Sequence, residues 1–332
     1  MPKISIILPT YNVEPYIERA LQSCINQTFK DIEIIVVDDC GNDKSIEIAK
    51  DYASKDERIK IIHNEKNLGL LRARYEGVKA AISDYIMFLD PDDYLGLNLC
   101  ENMVKIMNEY DMICFSMFYQ TKELKFVKNE FVISKEFDLE DYLRYCANSK
   151  QCYWNLCGKV FKKEIYLKAY NGFNYSKKIN MGEDLYIFLY LLLLIKKIYF
   201  LYSLNYGYYY CLNIFSLTLS FKDEKYKEQL KILKFIKENF FHIKEGLVYK
   251  FYFIIFLDLY IYKEEDLYNF YKQKITNSNL LYFRKKIFKI KRKLAMLIKR
   301  ILIKLYFKLP TLPSRGGVCK VIQNILSKSI IY

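Results

Sequence analysis

Ile4-Ser5-Ile6-Ile7-Leu8-Pro9-Thr10-Tyr11-Asn12 is the stretch that decides the fold. Its apolar run has the length of a buried strand, and Val13, Ile17, Ala20, Leu21 and Cys24 follow at helical spacing. A β-branched run at 32–38 predicts a second strand, and 44–54 a helix entered through Asn42 and Asp43. Strands over 58–63, 85–90 and 112–119 alternate with helices over 72–82 and 97–108. Alternation of this kind predicts an α/β fold with a mainly parallel central sheet covered on both faces. Beyond 120 the pattern loosens, with helices expected over 136–150 and 185–198. Past Asp223 the chain is rich in Lys, Tyr and Phe with few breakers, which predicts helices only. The expected division is an α/β domain over 1–220, falling into halves 1–120 and 121–220, and a helical C-terminal region over 221–332.

Four polar motifs fall at or just beyond these strands. They are Pro9-Thr10-Tyr11-Asn12, Asp38-Asp39, Asp90-Pro91-Asp92-Asp93 and Glu183-Asp184. Open α/β sheets bind ligands at the carboxyl ends of their strands. A carboxylate-rich rim there suits a hard divalent cation, and hence a substrate carrying phosphates. The first turn has no glycine before Gly41, so the Gly-rich fingerprint of a dinucleotide site is missing and hydride transfer loses ground. Taken singly, each motif also has a bland reading. Asp38-Asp39 and Asp93 suit turns and helix caps, Glu183-Asp184 suits a helix N-terminus, and Arg74 suits a solvated helix face.

Of the 332 residues, 52% are hydrophobic, with 11 glycines and six prolines, which describes a packed globular chain. Its longest apolar run, 185–195, is shorter than the roughly 20 residues of a membrane span. No signal-like succession opens the sequence, so the expected location is cytoplasmic. Nine cysteines without a C-x-x-C pair read as small buried side chains rather than zinc ligands, and His63 and His242 have no companions. The net charge is +14, yet residues 1–100 hold 12 Lys/Arg against 17 Asp/Glu. Residues 281–308 hold 11 Lys/Arg and no acid. There Lys285, Lys289, Arg292, Arg300, Lys304 and Lys308 form one helical face, and Ile287, Ile290, Leu294, Leu297, Ile301 and Leu305 another. A basic amphipathic helix of this kind reads as lying on an anionic membrane surface; a solvated helix packed on its own domain and a homodimer contact are the rivals.

In this order the motifs resemble the family 2 glycosyltransferases, which use sugar nucleotides and have the GT-A fold. The likeness runs from 4–12 through Gln27-Thr28-Phe29-Lys30-Asp31 and 32–39, then Asn67-Leu68-Gly69 and Arg74, Phe88-Leu89-Asp90-Pro91-Asp92-Asp93 and Gly182-Glu183-Asp184. It ends with Tyr208-Tyr209-Tyr210 and Ser216. Within the family it is most similar to bacterial lipo-oligosaccharide galactosyltransferases.

That resemblance implies a GT-A nucleotide-sugar-binding fold and an inverting transfer of a hexose, galactose favoured, from a UDP-sugar to a glycan or lipid-linked glycan. It implies that Pro9, Thr10, Tyr11, Asp38, Asp39, Arg74 and Asp90 bind the donor, and that Asp92, with Asp90, holds Mn2+ or Mg2+. It further implies Asp184 as the general base, Glu183 as a helper that positions the acceptor, and Trp154 stacked on an acceptor sugar. The expected location is then the inner face of the bacterial cytoplasmic membrane. Two other classes suit the sequence less well. A metal-dependent nucleotidyltransferase would need a first loop richer in Gly and basic residues than Pro9–Asn12. A nucleic-acid-binding protein would need basic residues alongside its aromatic ones, whereas here they gather beyond 281, so nucleic acid is not an expected partner.

Overall fold

The computed structural model describes residues 1–120, 126–128, 134–148, 154–172 and 182–213, with Lys231, Phe235, Lys293, Met296 and Leu297 besides. The chain divides into two compact units. One comprises Met1–Tyr142 with Tyr153–Phe235, and the other Leu143–Cys152 with Ile236–Tyr332. All the candidate site residues fall in the first. Most of the second, including nearly all of the basic segment 281–308, lies outside the described residues. Among those described, no helix is long and apolar enough to cross a membrane.

The expected alternation is present. In chain order it gives β1 (Ile4–Thr10), α1 (Ile17–Ile25), β2 (Ile32–Asp38), α2 (Ser45–Ala53), β3 (Ile59–His63), α3 (Leu70–Ala80) and β4 (Tyr85–Phe88). Every residue of β1 and all of β2 but Asp38 are buried, as strands covered on both faces must be. β1 pairs in parallel with β2 on one side and β4 on the other, and β2 with β3. The registers bring Thr10 beside Asp38, and Asp38 beside His63, so the carboxyl ends of these strands share one edge. α3 packs on β1 and β2. A side chain at Gly77 would bring its Cβ within 2.4 Å of Ile7 Cγ2, so glycine sets how closely that helix approaches the sheet.

The second half is mixed. β5 (Tyr94–Leu95), α4 (Leu99–Val104), a short 3-10 turn, β6 (Met112–Phe115) and β7 (Met117–Gln120) lead to β8 (Phe126–Lys128) and β9 (Lys135–Asp138). Then come α5 (Leu139–Asn148), β10 (Lys159–Lys162), α6 (Lys163–Gly172), α7 (Glu183–Leu191), β11 (Lys197–Leu201) and β12 (Tyr208–Tyr210). The main sheet has eight strands in the order β3-β2-β1-β4-β10-β6-β11-β9, with β10 antiparallel to both its neighbours. A second sheet runs β5-β12-β7-β8. Tyr94, Tyr209 and Phe118 stack across its strands at ring-centroid spacings of 4.6 and 4.8 Å.

Three expectations changed. The single strand over 112–119 is two strands broken at Ser116, whose carbonyl accepts from Tyr208 N–H and whose hydroxyl accepts from Ser203 N–H. The helix expected from 136 begins at Leu139, because 135–138 pairs with β11. The helix expected over 185–198 ends at Leu191, and its tail becomes part of β11.

Candidate functional site

The first motifs build an anchored loop. Pro9 and Thr10 are buried at the end of β1, and the Thr10 hydroxyl donates to Leu8 O at 3.0 Å. Tyr11, 46% exposed, leaves an open aromatic face at the rim. Asp38 accepts from Cys40 N–H at 2.9 Å and shares a 2.8 Å hydrogen bond with His63 Nδ1, so that histidine has a carboxylate partner. Asp39 is buried and accepts from Asn64 Nδ2, Leu68 N and Gly69 N at 2.8 to 2.9 Å. Its carboxylate therefore fixes the loop that launches α3, the helix that carries Arg74.

Arg74 is 1% exposed. Its Nη2 donates to Asp90 Oδ1 at 2.9 Å, while Nη1 donates to Glu183 Oε1 at 3.2 Å and to Asp184 Oδ1. Gly182, at φ 76°, turns the chain into α7 so that both acids of its first turn face this guanidinium. Leu156 N–H holds the other Asp184 oxygen at 3.0 Å. Burial pushes the carboxyls of Glu183 and Asp184 up, and the neighbouring acids add to this for both; Arg74 opposes it without reversing it. Burial also opposes the Arg74 charge, yet the carboxylates of Asp184 and Asp90 raise its pKa well above the ordinary arginine value. One cation thus serves three acids, and Glu183 and Asp184 hold a proton more readily than free carboxylates do.

The acidic turn is held from β12. Tyr208 Oη accepts from Asp90 N–H at 3.1 Å and donates to Asp93 Oδ2 at 2.7 Å. Cys211 N–H donates to Asp93 Oδ1 at 2.7 Å. Asp93 is thereby a buried anchor rather than a rim ligand. Burial, with the charges of Asp92 and Asp90, pushes its carboxyl to about 8. The Cys157 thiol donates to Asp90 Oδ2 at 3.0 Å. Asp92 is half-buried, and one of its oxygens accepts from Asn213 Nδ2 at 2.9 Å. Its other oxygen receives no hydrogen bond from another described residue. Burial and the Asp90 charge raise its pKa, and a cation would relieve both effects.

No group of three His, Cys, Asp or Glu side chains able to hold a metal occurs among the described residues. Mg2+-type sites commonly use only one or two carboxylates, with substrate phosphates and water completing the shell. Asp92, with Asp90 behind it, fits that smaller donor set.

Trp154 is half-buried and lies two residues before Leu156, the residue that binds Asp184. Cys157, Tyr208, Cys211 and Asn213 took no part in the site expected from sequence. Only the tyrosine run at 208–210 carried any signal. The described cysteines are all free, and all are buried except half-buried Cys40.

Residues 5–161 match the model of glycosyl transferase family 2. The chain is 34% identical over 191 residues to the uncharacterized glycosyltransferase EpsJ of Bacillus subtilis strain 168, covering 55% of this chain and 54% of that protein. It is 41% identical over 113 residues to an uncharacterized glycosyltransferase of Haemophilus influenzae, covering 34% of this chain and 45% of the other. The chain therefore spans about half the length of these curated relatives. Among solved structures, S. aureus TarS 1-349 in complex with UDP-GlcNAc aligns with a TM-score of 0.59 at 19% identity, over 90% of this chain and 91% of that one. Over residues 5–161 the chain is thus similar to glycosyl transferase family 2, and its fold is of the GT-A type.

Proposed function

We propose that this chain is an inverting glycosyltransferase that moves a hexose, galactose favoured, from a UDP-sugar to a hydroxyl of a lipo-oligosaccharide or other surface glycan. The observation that carries the reading is the Arg74 cluster, in which one buried guanidinium holds Asp90 of the donor-side turn and Glu183 and Asp184 of α7. The TarS complexes with UDP-GlcNAc and with UDP support a uridine diphosphate donor.

In the proposed step the acceptor oxygen attacks the anomeric carbon as its bond to the diphosphate breaks. Asp184 takes the acceptor proton, and UDP leaves from the opposite face. The carboxyl suits this role because burial raises its proton affinity, while Arg74 and Leu156 N–H fix its orientation. Glu183, on the same guanidinium, sets the acceptor side, and Trp154 offers a sugar face. Tyr11 is open to a flat base, and Asp39 secures the loop that leads into α3. Asp92 and Asp90 would hold Mn2+ or Mg2+, whose contribution is to neutralise the leaving diphosphate. Residues 281–308 would keep the enzyme at the inner face of the cytoplasmic membrane, where a lipid-linked acceptor resides.

Incubation of the full chain with UDP-galactose, UDP-glucose or UDP-GlcNAc, under a titration of Mn2+ and Mg2+, tests the reading. Metal-dependent release of UDP with one donor preferred is the expected result. No UDP release from any of these donors at any metal concentration, together with no binding of UDP, would overturn it.

A further inference from the structure

Asp92 is gripped from both ends of the fold, and its partners are not themselves carboxylates. Its backbone carbonyl accepts from Arg19 Nη2 on α1, and its carboxylate accepts from Asn213 Nδ2 just beyond β12. The same Asn213 amide accepts, through Oδ1, from the Tyr16 hydroxyl at 3.2 Å. The two partners fix the amide orientation, because a carboxylate offers only acceptors and must face the NH2. Tyr16 and Arg19 sit at and just inside the start of the helix that follows Pro9-Thr10-Tyr11-Asn12. A chain Tyr16–Asn213–Asp92 therefore runs from the turn that opens the donor site to the carboxylate at its charged end.

Carboxylates that hold metals are commonly oriented by hydrogen bonds from groups outside the coordination shell. Asp92 needs this more than most, since no other described residue hydrogen-bonds its side chain. Asp90 is already oriented by Arg74 and Cys157, and Asp93 by Tyr208 and Cys211. We infer that Asn213, steadied by Tyr16, is the positioning residue that turns the outer oxygen of Asp92 toward a divalent cation bound with a nucleoside diphosphate. This rests on the functional reading above. Its specific content is that metal affinity depends on an amide no acidic motif would reveal, and that the first turn of the chain is mechanically joined to the metal end of the donor site.

The test measures Mn2+ binding to the full-length protein by electron paramagnetic resonance with saturating UDP, and separately the binding of metal-free UDP by calorimetry. Asn213→Ala is expected to weaken Mn2+ by about 10- to 100-fold, the usual cost of losing such a partner. Metal-free UDP affinity should stay unchanged, because Tyr11 and the loop held by Asp39 are untouched. Tyr16→Phe should weaken Mn2+ less, and should add nothing in the Asn213→Ala background, since its effect passes through that amide. Wild-type binding of Mn2+ with UDP, and unchanged Mn2+ affinity in Asn213→Ala, overturns the inference while leaving the functional reading standing. An equal loss of metal-free UDP affinity marks a general structural role and overturns it as well. Failure of the wild-type protein to bind UDP at all defeats the functional reading, and this inference with it. If Asn213→Ala does not fold, Tyr16→Phe decides alone, as it removes one hydroxyl and keeps the ring; unchanged Mn2+ affinity there counts against the inference.

Discussion

Arg74 and Asp184 lie 110 positions apart in the sequence and meet in a direct ion pair inside the protein. The other terminal nitrogen of the same guanidinium holds Asp90. Arg74 thus sets the position of the proposed base relative to the donor turn. That differs from the direct donor contact the family resemblance gave it. A planar fork is what the geometry requires, since two nitrogens must serve carboxylates on different elements at once.

Arg74→Lys keeps the charge and loses the fork. It should leave the protein folded yet lower kcat by about 10²-fold, the scale expected when reacting groups shift by about 1 Å. Arg74→Met goes further, because it strands Asp90, Glu183 and Asp184 without their cation. Urea unfolding should show a loss of about 3–5 kcal/mol, as for a broken buried ion pair. An Arg74→Lys enzyme with wild-type kcat would show that the fork does not set the geometry.

Asp184→Asn tests the base. The amide keeps an oxygen for Arg74 but cannot take up a proton at neutral pH. UDP affinity should hold while kcat falls by about 10²–10⁴-fold, the range for loss of a general base. Unchanged kcat in Asp184→Asn would move the role to Glu183, the other acid on the same guanidinium.

The donor half of the fold was legible because its first three strands are rich in β-branched residues, with single polar side chains such as Ser5, Glu33 and Lys60 between them. The expected 32–38 strand is β2 to the residue, since Ile and Val fill five of its seven positions and its one interior charge, Glu33, is hydrogen-bonded by Ser5 and Ile82. β10 was not legible. Its four residues begin and end with lysine, and Lys159 is buried with its Nζ donating to Asn155 O. The break at Ser116 was equally hidden, because it depends on partners from 203 and 208. In the site, the acidic motifs stood out as charge clusters next to apolar runs. Cys157 and Asn213 did not, since a thiol and an amide carry no signal until the fold places them beside a carboxylate, and Tyr208 showed only as part of the tyrosine run.

Glu33 makes the acid limit of stability testable. It is buried on β2 and accepts from Ser5 Oγ at 2.5 Å, Ile82 N at 2.7 Å and Lys60 Nζ at 3.0 Å. Burial pushes its carboxyl up, but these donors outweigh burial and hold it below the ordinary glutamate value. A lowered carboxyl stabilises the fold above its unfolded pKa, and the contribution is lost as pH falls through the folded one. Asp93 runs the other way, its raised carboxyl favouring the fold at low pH and losing that contribution as pH rises toward about 8. Glu33→Gln should cost about 1–3 kcal/mol at neutral pH, because Lys60 then faces an amide. It should also flatten the fall in unfolding free energy between about pH 5 and about pH 3. An acid limb of unchanged slope in Glu33→Gln would assign that loss to other carboxylates.

The basic segment 281–308 tests attachment to a surface. It carries 11 Lys/Arg and no acid, and of its described residues Lys293 and Leu297 are exposed. Each basic residue near an anionic leaflet contributes about 1 kcal/mol. Replacing Lys285, Lys289 and Arg292 with glutamine should therefore weaken binding of the full chain to phosphatidylglycerol vesicles by about 100-fold at low salt. Wild-type binding should also weaken as salt shortens the reach of the charges, with a remainder held by the apolar stripe. Phosphatidylcholine vesicles should retain only that remainder. If the wild-type chain ignores anionic vesicles at low salt but sediments as a dimer that the three glutamines dissociate, the segment is a contact between two copies. The acceptor would then have to be brought to the enzyme by some other feature than this segment.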